Sequence, residues 1–138
     1  MAEIKFNDGV EEININGKVS ISINPTDINF SEKLFNVFDA LDEKQTARSE
    51  EIQGKSGREI FDISHKMDNE MRELVNSAFE FDICKPLFGS MHIYSHADGL
   101  PVWCNLLLAI IDMMDSAVTE QQKMTNPRVQ KYLAKYKK

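Results

Sequence analysis

Residues 56–89 read SGREIFDISHKMDNEMRELVNSAFEFDICKPLFG, and this stretch decides the fold class. Ser56 followed three positions later by Glu59 is a capping box, in which the hydroxyl and the carboxylate each accept a hydrogen bond that the first helical turn leaves unmade. Ile60, Ile63, Met67, Met71, Leu74, Val75 and Ala78 then recur at three- and four-residue spacing, the period of a helix with one apolar side. Lys85-Pro86 predicts an end by about Cys84, because the residue before a proline is pushed out of the helical region, and Gly89 closes a short Leu87-Phe88 turn.

Toward the C-terminus, a loop runs to Gly99 and Pro101 is placed to open the next helix. Its apolar positions Trp103, Leu106, Leu107, Ile110, Met113, Met114 and Ala117 form a face wide enough for the centre of a bundle. Asn126-Pro127 repeats the cap-and-proline signal before a final short helix with Val129, Tyr132, Leu133 and Tyr136 on one side. Toward the N-terminus, Asn29 with Glu32 looks like a capping box for a helix from about Phe30, whose stripe is Phe30, Leu34, Val37, Phe38 and Leu41. The stripe then fades. Residues 42–56 are mostly polar, with Ile52 the one large apolar side chain, and read equally as a solvated helical extension or a mobile connection.

Residues 3–23 alternate instead: Ile4 and Phe6, Ile13 and Ile15, then Val19, Ile21 and Ile23, with Asn7-Asp8-Gly9 and Asn16-Gly17 as turn signals. They predict a meander of two or three strands. A two-residue turn at Asn16-Gly17 would send the two apolar sets to opposite faces. A three-residue loop with Gly17 left-handed avoids this and pairs Ile13 with Val19. The expected fold is therefore α+β, mainly α-helical: a small N-terminal β-hairpin or meander packed on a bundle of about four helices. One domain spans 1–138, with the meander at 1–24, the bundle at 25–125 and a basic helix at 126–138, and with Trp103, Leu107, Ile110, Leu74, Ile63 and Leu34 in the core.

Composition bounds the function. The 138 residues are 42% hydrophobic and 28% charged, enough for one buried core. The net charge of −6 argues against a general nucleic-acid surface, and no helix-turn-helix signal is present. The opening Met-Ala-Glu-Ile-Lys-Phe is unlike a signal peptide and two cysteines make no disulfide framework, so a reducing cytoplasm is expected. The stretch Gly99–Ile111 is too short for a membrane span. Charge is unevenly spread: residues 121–138 hold Lys123, Arg128, Lys131, Lys135, Lys137 and Lys138 and no acid, so the other ten basic side chains face all 22 acidic ones, a net −12 over the first 120 residues. Such an end can dock on an acidic partner, on its own body, or on a neighbouring copy.

The residues with chemistry to offer are few. Cys84, His92, His96 and Cys104 form a ligand set that zinc accepts, with seven residues between each cysteine and its nearest histidine and three between the histidines, which could share a helical face. Neither cysteine has a near cysteine partner, the histidines lie in a loop-like segment, and Cys104 follows Trp103 in an apolar helix, so no metal or other cofactor is assigned. Nothing local marks either thiol as an activated nucleophile, and Gly54-Lys55-Ser56-Gly57 lacks the spacing of a phosphate loop. The chain reads as a non-enzyme. Met67, Met71 and the other methionines read first as core filler and alternatively as a groove for a partner helix. Phe35, beside Leu34 and close to Phe38, gives the first helix a second apolar side and so hints at an interface. Phe35, Met67, Met71, Lys131 and Lys135 are the candidate partner-binding residues.

The order of signals resembles the small tail assembly chaperones of tailed bacteriophages and prophages: a hairpin with Asn16-Gly17-Lys18, an entry Asn24-Pro25-Thr26-Asp27 into Phe30–Asp42, a long helix ending at Cys84-Lys85-Pro86-Leu87-Phe88-Gly89, and Asp98-Gly99-Leu100-Pro101 opening an apolar helix. The resemblance spans most of the chain. It implies a non-enzymatic role in the bacterial cytoplasm, coating the long helical tape measure protein, keeping it soluble and recruiting tail-tube subunits. The family carries no catalytic or metal motif to transfer. The alternatives are a structural component that stays in the tail, and a small cytosolic adaptor or regulator.

Overall fold

The computed structural model describes residues 1–124 together with Pro127, Lys131, Ala134 and Lys135. Two antiparallel strands, β1 (Glu11–Ile15) and β2 (Val19–Ile23), precede the helices α1 (Ile28–Glu51), α2 (Gly57–Phe79), α3 (Cys84–Phe88) and α4 (Val102–Lys123). A two-residue ribbon, β3 (His96–Ala97) with β4 (Leu100–Pro101), sits just before α4. The architecture is α+β and mainly helical. The helix expected over 126–138 lies mostly outside the described residues.

In the hairpin the loop is the three residues Asn16-Gly17-Lys18, but the register differs from expectation: Ile15 faces Val19 and Ile13 faces Ile21. The pairing Ile13–Val19 is therefore off by two. Asn16 and Gly17 both take left-handed backbone, φ 53° and 68°, and the Asn14 side chain accepts from the Gly17 N–H, tightening the turn. Either register keeps Ile13, Ile15, Val19, Ile21 and Ile23 on one face, because shifts of two preserve the side-chain alternation. That face lies on the helices, and Lys18 reaches the Leu87 carbonyl from the hairpin tip. Residues 1–10 form no regular structure, so the meander has two strands, and Ile4 and Phe6 stand in solvent.

Three helix boundaries move, each for a local reason. Asp27, not Asn29, caps α1: its carboxylate accepts from the Asn29 N–H, so the helix begins at Ile28. At its other end α1 continues through the polar stretch to Glu51, which decides between the two readings of residues 42–56. The Ser56 hydroxyl caps α2 as expected, but α2 stops at Phe79, with Glu80 left-handed at φ 64°. The Asn76 side chain accepts from the N–H groups of Ile83 and Cys84, and Asp82 accepts from Lys85 N–H. Those bonds open α3, where Pro86 sits in the first turn, a place a helix tolerates it. Finally Pro101 precedes α4 and does not start it.

The core gathers Leu34, Leu41, Met71, Val75, Ile83, Ile93 and Leu107, all fully buried, around Trp103, Ile110 and Met114. Leu74 packs on its rim, whereas Ile63 is only half-buried and stands outside it. Helix α1 packs along both α2 and α4, and α4, expected to supply a face for the centre of the bundle, turns Trp103, Leu106, Leu107, Ile110 and Met114 into the core. By length and apolarity α4 could cross a membrane, yet Trp103, Leu106, Leu107 and Ile110 are turned into this core.

Candidate functional site

Two surfaces stand apart, an apolar one at the end of the antiparallel α1–α2 pair next to the hairpin and a polar one over the middle of α2. The apolar one is a groove of about 510 Å³ where β2, the start of α1 and the end of α2 meet, lined by Val10, Ile21, Ile23, Phe30, Phe79 and Phe81. Phe30 meets Phe79 edge-on at 5.7 Å and forms its floor. A Lys33–Glu80 ion pair of 3.5 Å sits on its rim. The chain entering it is fixed by Asn24, which donates to the Asp8 carbonyl and accepts from Thr26. Gly9 passes so close that a Cβ there would meet the Asn24 amide at 2.6 Å, and its φ of 75° also calls for glycine.

Beside this groove, α1 carries a second apolar row. Ile28 and Phe35 are seven residues apart, two helical turns, so they share a face distinct from the buried Leu34, Val37 and Leu41. Phe35 is 56% exposed and Ile28 79%. The candidate Phe35 thus stands on the surface. Met67 and Met71 do not: both are buried, Met71 completely, so the idea of a methionine-lined groove on α2 is corrected and these two side chains are core filler. Lys131 and Lys135 are exposed. Ile28 and Phe81 were missed by sequence reading because the first lay before the expected start of one helix and the second inside the expected length of another.

The polar surface surrounds the loop between α3 and β3. Asp68, buried on α2, accepts from the Ile93 N–H at 2.8 Å with one oxygen and from Arg72 Nε at 3.0 Å with the other. Arg72 goes on to donate to the Gly89 and Met91 carbonyls. Three of these bonds staple the loop to α2, and the fourth, between Arg72 and Asp68 within the helix, orients both side chains for it. Tyr94 donates to the Ser64 carbonyl at 3.0 Å and is hydrogen-bonded to His92 Nδ1, while Arg48 from α1 lies over the Tyr94 ring and donates twice to the Ser64 hydroxyl. His92 Nε2 lies 3.1 Å from Nδ1 of His65 on α2. A shallow cleft of about 300 Å³ opens there, lined by His65, Asp68, Asn69, Arg72, Ser90 and His92.

The Cys84, His92, His96 and Cys104 set is not brought together. Cys84 lies at the start of α3 with its sulfur against the Arg72 carbonyl, and burial pushes its thiol up to about 12, so it stays protonated and inert. Cys104 is buried in the first turn of α4, its thiol likewise raised by burial and then by the nearby Asp42. The two histidines share no helical face, since His96 is exposed on β3 and His92 turns toward His65. Among the described residues no three His, Cys, Asp or Glu side chains converge as a metal site.

No protein-family model, no curated protein and no solved structure matches the chain.

Proposed function

We propose that this chain is a non-enzymatic assembly chaperone of a phage or prophage tail, which binds the helical tape measure protein and recruits tail-tube subunits. The observation that carries the reading is apolar surface left open on an otherwise well-packed body: Ile28, Phe35 and Phe81 are exposed around a groove floored by Phe30 and Phe79. A groove of this kind suits an amphipathic helix, whose side chains at three-, four- and seven-residue spacing insert along it. The order of sequence signals, from the Asn16-Gly17-Lys18 hairpin to the helix after Asp98-Gly99-Leu100-Pro101, supports the same reading. The acidic body and basic end offer complementary charge for ordered assembly.

The test is co-expression with a tape measure protein, the long helical partner this reading implies, followed by pull-down and light scattering. Several copies of the chain bound to a partner that is insoluble alone are the expected result, with Phe35→Ser and Phe81→Ser weakening capture. A partner equally soluble alone, with no complex formed, overturns the reading. Recovery of the chain in finished particles would make it a structural tail component instead.

A further inference from the structure

The hydrogen bonds around His92 run in a single direction. A backbone carbonyl only accepts, so the Tyr94 hydroxyl must donate to Ser64 O, and its oxygen is left to accept from His92 Nδ1–H. The hydrogen of a neutral His92 therefore sits on Nδ1, and Nε2 presents a lone pair. That lone pair faces His65 Nδ1 at 3.1 Å, with the two rings at 76° and meeting at their edges. When the His65 hydrogen is on Nε2, two lone pairs point into the same gap.

Two imidazole nitrogens bound to one ion at the usual metal–nitrogen length are about 2.9–3.4 Å apart, for square-planar to tetrahedral angles. The observed separation falls inside this range. The Tyr94–Ser64 chain behind His92 is also what a ligating histidine needs, because a partner on the second ring nitrogen fixes the tautomer, orients the ring and raises its basicity. We propose that His65 Nδ1 and His92 Nε2 form a two-histidine site for a divalent transition ion of the zinc or nickel class, with water filling the remaining positions. Imidazole suits these ions. His65 is exposed, so the ion can enter, and the cleft beside the pair has room for its water. The nearby Arg72 charge is matched by Asp68, whose two oxygens are engaged and do not ligate. Binding needs no net proton release: the hydrogen between the rings moves to His65 Nε2 as the ion takes its place. A bound ion ties α2 to the loop that carries His92.

The chain holds three histidines, and the third, His96, is the internal control. Calorimetric titration of the full chain at neutral pH with zinc and, separately, nickel chloride should show one ion per chain. His65→Ala, which removes an exposed side chain and leaves the fold intact, and His92→Ala should each weaken binding at least about tenfold, and Tyr94→Phe, which keeps both ligands, should weaken it about tenfold. His96→Ala should bind as the unaltered chain does, and saturating ion should raise the melting temperature of the unaltered chain but not of His65→Ala. Absence of binding at millimolar ion, retention of full affinity in His65→Ala, or loss of it in His96→Ala overturns the proposal.

Discussion

Over the middle of α2 a network of polar contacts is closed and satisfied; at the hairpin end of the α1–α2 pair the contacts are apolar and incomplete. Around the 89–95 loop, Asp68, Arg72, Ser64, Arg48 and Tyr94 form an interlocked set, and no buried side-chain nitrogen or oxygen lacks a partner among the described residues. Around the hairpin, Phe30, Phe79 and Ile21 pack together but leave Phe81, Ile23 and Val10 lining an open groove. Hydrogen bonds are directional and admit one arrangement, so the 89–95 loop holds a fixed shape. Apolar contact is non-directional, so the hairpin end can accept partners of varied sequence.

Removal of the buried Asp68 carboxylate should do the most damage. Asp68→Ala leaves Arg72 without its ion partner and the Ile93 N–H without an acceptor, and is expected to cost about 3–5 kcal/mol in urea denaturation. A loss under 1 kcal/mol would show that the 89–95 loop is not locked to α2 by these bonds. Met71→Ala opens a cavity between packed helices and should cost about 2–5 kcal/mol. With α1 and α2 still assembled, this variant should still capture the partner in proportion to its folded fraction, which separates a core methionine from one lining a groove. Gln45→Ala removes the acceptor of the Trp103 indole N–H, now bonded at 2.7 Å, and should cost about 1–2 kcal/mol with a shift in tryptophan emission.

Gln45 also shows where sequence was legible and where it was not. The stripe of α1 is apolar as far as Leu41 and then continues on the same helical face as Lys44, Gln45 and Arg48. Each has a specific partner there: Glu70, Trp103 and Ser64. Hydrophobic periodicity cannot see such a stripe, because its half-buried residues are held by pairing and not by apolarity. The strand alternation, the Ser56 cap and the apolar faces of α2 and α4 were legible because each rests on neighbours in the chain. The ends of α1 and α2 were not, since Asp27 and Asn76 compete with equally good local signals. The Asp98-Gly99 turn, with φ of 54° and 79°, is a hairpin signal that could have announced the β3–β4 ribbon. The pairing of His65 with His92 has no local trace, because its members are 27 residues apart.

Two surface positions should matter less to stability. Lys44 bonds Glu70 at 2.7 Å and holds that carboxyl below its ordinary value of 4.5. A lowered folded value means that the pair's contribution is present above the unfolded value and is lost as pH falls through the folded one. With both side chains more than a third exposed, solvent screens the interaction. Glu70→Gln should therefore cost only about 0.3 kcal/mol near neutrality and nothing once both forms are protonated, as read from denaturation at several pH values.

Phe35 combines little expected effect on stability with a large expected effect on binding. Phe35 extends from α1 into solvent, so Phe35→Ser removes almost no buried area and should change stability by no more than about 0.5 kcal/mol. Exposed aromatic surface is costly to keep on a free body, since it invites association. If it is kept for a partner, the variant will be as stable as the parent, more soluble, and poorer at capturing the helical protein. If stability falls by 2 kcal/mol or more, about the value of a buried large apolar side chain, Phe35 belongs to the packing of this chain and the apolar surface beside the hairpin is not held open for a partner. Ile28→Ser, on the same face two turns away, should reproduce the binding defect if one partner helix covers both positions, and leave binding intact if Phe35 acts alone.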